Sequence, residues 1–538
     1  MPVTDLSSPP AAPDLPVRVR SVPLGGTALS RTMQDPEGAA TWGMPRPDSP
    51  EAWRARAQAV RADFAGGAWL EALRPAFAAT GAAAARLARA AEHGVVVTTG
   101  QQPGLFGGPA YTISKALTAL ALADALEAEL QVPVAPVFWA ATDDADWAEA
   151  AEVHVATRAG ARRLALAGPA TEGIPMAEVP LGTMEDAWAA LEAACGSGAH
   201  AAVLATLREA YHPTATVGGA YLAWLRALLA PLGIAVLDAS HVALREAADP
   251  LLRRALARAV PLHEALEARS KALEAAGLSP QVELVAGRSL VFRSALNAEG
   301  RLQRERVSLA EAAQAQDVAP LGSLGPNVVL RPVVERALLP TVAYAAGPGE
   351  LAYGAQLAPV AAALAMAVPL FVPRWAGEVV DRRVLDVAAA LGIEEVTLES
   401  PHGAEALVAQ AHLDAAVADA LERLRLTVEA QVALLGRAVQ DAALPVPASV
   451  VERLGDDLAR RLSRQERRLL AAVKRQEVEA LRQVAMVRGA LRPYGRPPER
   501  TLSLVPLLVR YGMPLLEQMG AAARGHAHAL VRGVAARA

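Results

Sequence analysis

The chain has 538 residues, 53 % of them apolar and 20 % charged, which is ample material for a large buried core and excludes a disordered polymer. A net charge of −4 gives no global attraction to nucleic acid or an anionic membrane, and a single cysteine, Cys195, excludes an intrachain disulfide framework. The opening MPVTDLSSPPAAPDLP has no basic segment followed by an apolar one, so a cytoplasmic protein without a secretory signal is expected.

Residues 1–50 are rich in Pro, Gly and Ser and predict an irregular N-terminal arm. Over 51–92 the apolar positions Trp53, Ala57, Val60, Phe64, Leu70, Leu73 and Phe77 fall at helical spacing, giving two or three helices. Val95–Thr98 is a β-branched strand, followed by the glycine-rich TGQQPGLFGGP, a helix over Tyr111–Leu130 and a buried strand over Val134–Ala141. Strand, loop, helix and strand make a βαβ unit, so the fold class is α/β with a parallel sheet. Further strands are expected at Ala235–Asp238, Leu284–Phe292 and Leu370–Val372, and helices at Gly219–Ala230 and Pro250–Ala276. Leu357–Pro373 carries three prolines and falls short of a membrane span, so it reads as a buried helix running into a strand. Two long helical stretches, Ala404–Ala443 and Ala448–Leu491, flank LPVP. The second has a coiled-coil seam through Val451, Leu454, Leu458, Leu462, Leu469, Val473, Leu481, Val484 and Leu491.

Lysine is rare: Lys115, Lys271 and Lys474 stand among 52 basic residues, so Lys115 is a candidate for chemistry of its own. It lies one turn into the helix after a loop containing Gln101, Gln102, Gly104, Gly107 and Gly108, with Tyr111 at the helix start. Glycines between a strand and a helix let backbone N–H groups approach an anion, although the spacing is neither Walker A nor GxGxxG. After the second strand come Asp143, Asp144, Asp146, Glu149 and Glu152, where carboxylates suit Mg²⁺, an ammonium group or a general base. A third segment holds Asn327, Arg331 and Tyr344, then Gly347-Pro348-Gly349-Glu350 and Tyr353; its GPGE suits a turn that starts a helix. Cys195 lacks an activating neighbourhood, and His526 and His528 are expected on an exposed end, so no metal site is assigned.

These segments resemble, in order, the motifs of the bacillithiol biosynthesis cysteine-adding family. They are TGQQPGLFGGPAYTISK, PVFWAATDDADWAE, NVVLRPVVERALLPTVAYAAGPGELAY and the later PYGRPPERTLSLVPLLVRYG. The resemblance implies a Rossmann-like core with inserted connecting segments, plus a C-terminal α-helical coiled-coil hairpin that holds a homodimer. The expected division is an arm at 1–50, a core at 51–403, a hairpin at 404–492 and a segment at 493–538 packing back on the core. It implies a ligase that joins cysteine to glucosaminyl malate through an amide. Carried over by motif, Lys115, Asp144, Asp146 and Glu350 are catalytic. Gln101, Gln102, Gly104, Gly107, Gly108, Tyr111, Asn327, Arg331, Tyr344, Gly347, Gly349 and Tyr353 bind substrate or nucleotide. The family's acidic motif reads Glu-Asp-His-Asp, where this chain has Asp143-Asp144-Ala145-Asp146, and Glu152 stands for a downstream histidine.

Because amide formation from a free carboxylate is uphill in water, ATP with Mg²⁺ is expected on chemical grounds. In that reading Lys115 meets an anionic activating group and Arg331 a malate carboxylate. The alternatives are a synthetase-like enzyme that grips tRNA through Arg460, Arg461, Arg464, Arg467, Arg468, Lys474 and Arg475, or a non-catalytic scaffold. Interspersed acids argue against nucleic acid as partner, and no membrane partner is expected.

Overall fold

A computed structural model describes residues 15–64, 67–168 and 173–533, which divide into two compact units. Within the described residues the first unit comprises 15–155, 163–379 and 499–533, and the second 156–162 and 380–498.

The strands in chain order are β1 (Val17–Ser21), β2 (Val95–Gln101), β3 (Val134–Ala140), β4 (Glu152–Thr157), β5 (Gly160–Ala165) and β6 (Ala235–Asp238). They continue with β7 (Arg288–Leu296), β8 (Leu302–Ser308), β9 (Leu324–Pro326), β10 (Thr341–Ala346), β11 (Phe371–Pro373) and β12 (Gly377–Asp381). Five of them form the parallel sheet of the first unit in the order β11-β10-β2-β3-β6. β3 and the first half of β2, Val95–Val97, are apolar because both sheet faces are covered. Val95, Val97, Val134 and Phe138 join the larger core cluster, while Val96, Ala135, Val137 and Trp139 join a second on the opposite face. The helices Tyr111–Leu130, Val217–Leu229 and Met513–Val531 contribute to the first cluster, and Ala68–Phe77 and Gly81–His93 to the second.

Several expectations change. The N-terminal arm is not irregular over its described part: it forms β1 and two helices, Ala28–Gln34 and Pro36–Thr41, which bury Leu29, Met33 and Ala39, while residues 1–14 lie outside the described residues. The strand expected at Leu284–Phe292 is β7, shifted to Arg288–Leu296, and it belongs to a separate antiparallel sheet, β8-β7-β9. The helix expected at Pro250–Ala276 is two helices, Val242–Ala257 and Ala259–Ala275, with Pro250 inside the first. The C-terminal histidines lie within the helix Met513–Val531, and the half-buried His526 ring hydrogen-bonds the Pro373 carbonyl at 2.8 Å. The preceding helix, Val505–Tyr511, and Met513–Val531 both bury residues in the larger core.

In the second unit, Val380, Ala388, Ile393, Leu398, Val408, Val484, Val487 and Leu491 make a small core. From it extend Ala415–Asp441 and Ala448–Gln476, two helices that pack on each other. The stretch read as Ala404–Ala443 breaks after Ala411 and restarts where Asp414 caps the next helix; that read as Ala448–Leu491 breaks at Glu477. No helix among the described residues is long and apolar enough to cross a membrane.

Candidate active site

In an open parallel sheet the strands' carboxyl ends place loop residues around a common crevice. Here Gly100 and Gln101 end β2, Asp143 and Asp144 follow β3, Ser240 follows β6, Gly347–Glu350 follow β10 and Arg374 follows β11. All of them line one cavity of about 660 Å³. Its other side is formed by β7, β8, β9 and the start of the helix Val242–Ala257, which supply Phe292, Arg304, Arg306, Asn327 and Arg245.

Lys115 is buried, and its ammonium donates to the Gly100 carbonyl at 2.6 Å and to Gln101 Oε1 at 2.9 Å, and pairs with Glu350 Oε2 at 2.7 Å. All three donors are thus met by the protein. In this arrangement Lys115 ties the end of β2 to the turn after β10 at the cavity wall. Gly347 precedes the helix Pro348–Gly354, and its N–H donates to Glu350 Oε2 at 2.6 Å. Glu350 Oε1 accepts from the Tyr344 hydroxyl at 2.5 Å. Burial alone would raise the Glu350 pKa, but the Lys115 and Arg331 charges more than offset it and hold the carboxyl below its usual range.

The chain of contacts continues through Arg331. It donates to the Tyr344 hydroxyl at 3.4 Å, to the Tyr353 hydroxyl at 3.0 Å and to Glu335 Oε2 at 3.1 Å, with its guanidinium 5.3 Å from the Tyr344 ring centre. Glu335 is buried and also accepts from Thr98; burial pushes its pKa up to about 7 against the pull of Arg331. Gly100 is required beside this network, since a Cβ there would lie 2.8 Å from the Trp139 carbonyl oxygen and 3.3 Å from the Tyr344 hydroxyl. Asn327 fixes the turn into the Arg331 helix, its Oδ1 accepting from Leu330 N at 2.9 Å.

The acidic segment divides by position. Asp144 lines the cavity; burial and then the neighbouring Asp143 raise its pKa, although Oδ1 accepts from the N–H of Ala145 and Asp146. Asp143 pairs with Arg304 at 3.5 Å. Asp146 is corrected as a site residue: it is exposed and outside the cavity lining, and its carboxylate caps the short helix Trp147–Ala150 by accepting from Glu149 N. Glu149 occupies the rim instead, accepting from Gln101 at 3.1 Å, from the Tyr111 hydroxyl at 3.0 Å and from Gln102 at 2.5 Å. Glu152 pairs with Arg163.

The glycine-rich loop is also corrected. Gly104, Gly107 and Gly108 are buried outside the cavity lining. The Gly107 N–H donates to the Gly104 carbonyl and the Tyr211 hydroxyl, and the Gly108 N–H to the Leu105 carbonyl. Gly107 has φ +87°, and a Cβ there would lie 2.7 Å from Trp224 Nε1, so the glycines serve a tight packing turn. Gln101, Gln102, Tyr111, Lys115, Asp144, Asn327, Arg331, Tyr344, Gly347, Gly349, Glu350 and Tyr353 do share the cavity.

Arg374 was not anticipated. It is buried, pairs with Glu499 through two hydrogen bonds of 2.9 and 2.7 Å, and keeps a buried Nε without a hydrogen-bond partner. Its place directly after a strand end was the available signal, together with Glu499 inside the fourth matched motif.

Residues 50–375 match the family described as bacillithiol biosynthesis BshC, N-terminal Rossmann-like domain. A protein of Solibacter usitatus named "Putative cysteine ligase BshC" is 33 % identical over 445 residues, covering 80 % of this chain and 82 % of that protein. Proteins of the same name from Koribacter versatilis and Geobacillus thermodenitrificans are 30 % and 31 % identical, covering 84 % and 80 % of this chain and 86 % and 82 % of their own. With a Rossmann-like parallel sheet, a cavity at its carboxyl edge and these relatives along four-fifths of its length, the chain belongs to the BshC family of cysteine ligases.

Proposed function

We propose that the protein joins the carboxyl of cysteine to the amine of glucosaminyl malate, forming an amide in the last step of bacillithiol synthesis. The observation that carries this reading is convergence: residues from the glycine-rich, acidic and central motifs, far apart in sequence, line one cavity.

Carboxyl activation is the chemistry ATP with Mg²⁺ supplies when bound. Arg374 Nε, buried beside Gly347 without a partner, and the exposed Arg500 on the same cavity fit phosphate oxygens. The described residues contain no cluster of three or more His, Cys, Asp or Glu able to hold a metal, so Asp144 fits only as one carboxylate in a largely hydrated or phosphate-bound Mg²⁺ shell.

Asp144 is the base that takes the proton from the attacking amine. Burial and Asp143 raise its pKa, bringing it closer to neutrality where a general base works best. Glu149, presented by Gln101, Gln102 and Tyr111, offers a counter-charge to the cysteine ammonium. The Lys115–Glu350–Tyr344–Arg331 network holds the cavity wall rigid, so that positioning does not have to be achieved at each turnover. The protein acts in the cytoplasm as a homodimer joined through the helical hairpin.

Purified protein given cysteine and glucosaminyl malate should yield bacillithiol by mass spectrometry with ATP and Mg²⁺, and none without nucleotide. No product in either mixture overturns the ligase reading; equal product in both overturns the nucleotide.

A further inference from the structure

Strand β8 reads Leu302-Gln303-Arg304-Glu305-Arg306-Val307, and successive side chains of a strand point to opposite faces. Leu302, Arg304 and Arg306 therefore share one face, and all three line the cavity. The register with β7 sets Phe292 opposite Arg306 and Ser294 opposite Arg304, and both of those also line it. The guanidinium groups of Arg304 and Arg306 lie 4.7 and 5.1 Å from the Phe292 ring centre. Arg245, from the helix Val242–Ala257, lines the same cavity.

These arginines differ in how they are satisfied. Arg304 is anchored by the Asp143 and Pro326 carbonyls and by the Asp143 carboxylate. The side chains of Arg306 and Arg245 are half-buried and have no hydrogen-bond or ion-pair partner among the described residues. Desolvation lowers the pKa of both. Around Arg245 the charges include Asp143 and Glu178 as well as Arg304; around Arg306 there is the further cation Arg288. Three guanidinium groups thus face the cavity against Asp143, which already pairs with Arg304, and Glu178. The guanidinium groups of Arg245 and Arg306 are partly open and keep N–H donors free for an anion that enters the cavity.

Arg331 does not fill that role. It is engaged with Glu335, Tyr344 and Tyr353, and its side chain is only 15 % exposed. Arg374, the arginine suited to phosphate, lies beside Gly347 and Lys115, on elements other than β8 and the Arg245 helix. The cavity therefore has two sets of arginines, carried by different elements.

We propose that Arg306, Arg304 and Arg245 form the subsite for the two carboxylates of the malate aglycone. The proposal rests on the ligase reading and assigns to the β8 face the contact earlier expected of Arg331.

Calorimetric titration of the full-length protein, without cysteine, separates the possibilities. The ligands are glucosaminyl malate, methyl glucosaminide and ATP with Mg²⁺. The variants are Arg306→Ala, Arg306→Lys and Arg245→Ala, whose side chains make no hydrogen bond in the described structure. Each alanine variant should bind glucosaminyl malate about 10- to 100-fold more weakly, the loss expected for a hydrogen bond to a charged group. Arg306→Lys should recover part of that loss, while affinity for methyl glucosaminide and ATP stays as in the wild type. Unchanged affinity of both alanine variants for glucosaminyl malate overturns the subsite. A loss confined to ATP overturns it too, and gives these arginines to phosphate. A wild-type protein that binds no glucosaminyl malate instead overturns the ligase reading and the malate assignment with it, an outcome visible before any variant is compared.

Discussion

Lys115 Nζ lies 2.7 Å from Glu350 Oε2, a link between the helix after β2 and the turn after β10 in which both partners are largely withdrawn from water. Removing one member of such a pair strands the other as a buried charge, which costs about 3–5 kcal/mol. Lys115→Met should therefore lower the chemical-denaturation stability of the apoprotein by that order. The double variant Lys115→Met, Glu350→Gln should be more stable than the single one, because no charge remains unpaired. Additive losses in the cycle would mean that the pair is uncoupled and that Lys115 faces a ligand after all.

Glu335 supplies a pH dependence whose sign follows from its burial. Its folded pKa, about 7, lies above the usual carboxylate value of 4.5, so the native state holds a proton that the unfolded state has released between those limits. Stability then falls as pH rises from about 4.5 to 7, and the deficit persists above the upper limit. Glu335→Gln keeps the shape but removes the titration. The stability difference, variant minus wild type, should rise across that window and level off above it when unfolding midpoints are compared at fixed ionic strength. A difference independent of pH would show that Arg331 keeps Glu335 ionised throughout.

Much of the sheet was legible because β3 and the start of β2 are buried on both faces and so read as apolar, β-branched runs. β10 was not, although it neighbours β2. Its sequence, TVAYAA, is short and alanine-rich, and its one large side chain, Tyr344, reads as a motif residue as readily as a strand residue. The candidate site divides along a similar line. Residues whose side chains carry chemistry, such as Asp144, Glu350 and Arg331, do meet in the cavity. The glycines of 104–108 do not, because a glycine needed for packing against Trp224 and one needed for ligand approach leave the same mark in a sequence. Arg304 and Arg306 were missed for a different reason: charges alternating along RERV read as solvated surface unless the strand and its buried face are known.

Asp144 as general base makes a prediction that separates it from a mere ligand. Only its ionised form accepts a proton, so kcat should fall on the acidic side of a pKa that burial and Asp143 place above the ordinary carboxylate range. Asp143→Asn removes the like charge and should move that acidic limb to lower pH. Asp144→Asn should lower kcat by about 10²- to 10⁴-fold. A pH–rate profile unchanged by Asp143→Asn would exclude Asp144 as the titrating base.

The hairpin helices Ala415–Asp441 and Ala448–Gln476 touch each other closely: a Cβ on Gly455 would lie 3.2 Å from a Val432 methyl, and one on Gly436 3.7 Å from a Val451 methyl. Yet Leu424, Leu434, Leu435, Val450, Leu454 and Leu469 remain 40–52 % exposed. Such a band of apolar side chains on an extended element invites a second copy. Covering the half of each side chain that is still exposed contributes about 0.7–1.5 kcal/mol per leucine or valine, so the whole band on both copies is needed to hold two chains at micromolar concentration. Light scattering should give a dimer for the full chain. Leu454→Glu with Leu469→Glu should give a monomer whose far-ultraviolet circular dichroism is unchanged, since charges at already exposed positions leave the packing between the two helices intact. A wild-type monomer, or a double variant that stays dimeric, would remove the hairpin from the interface.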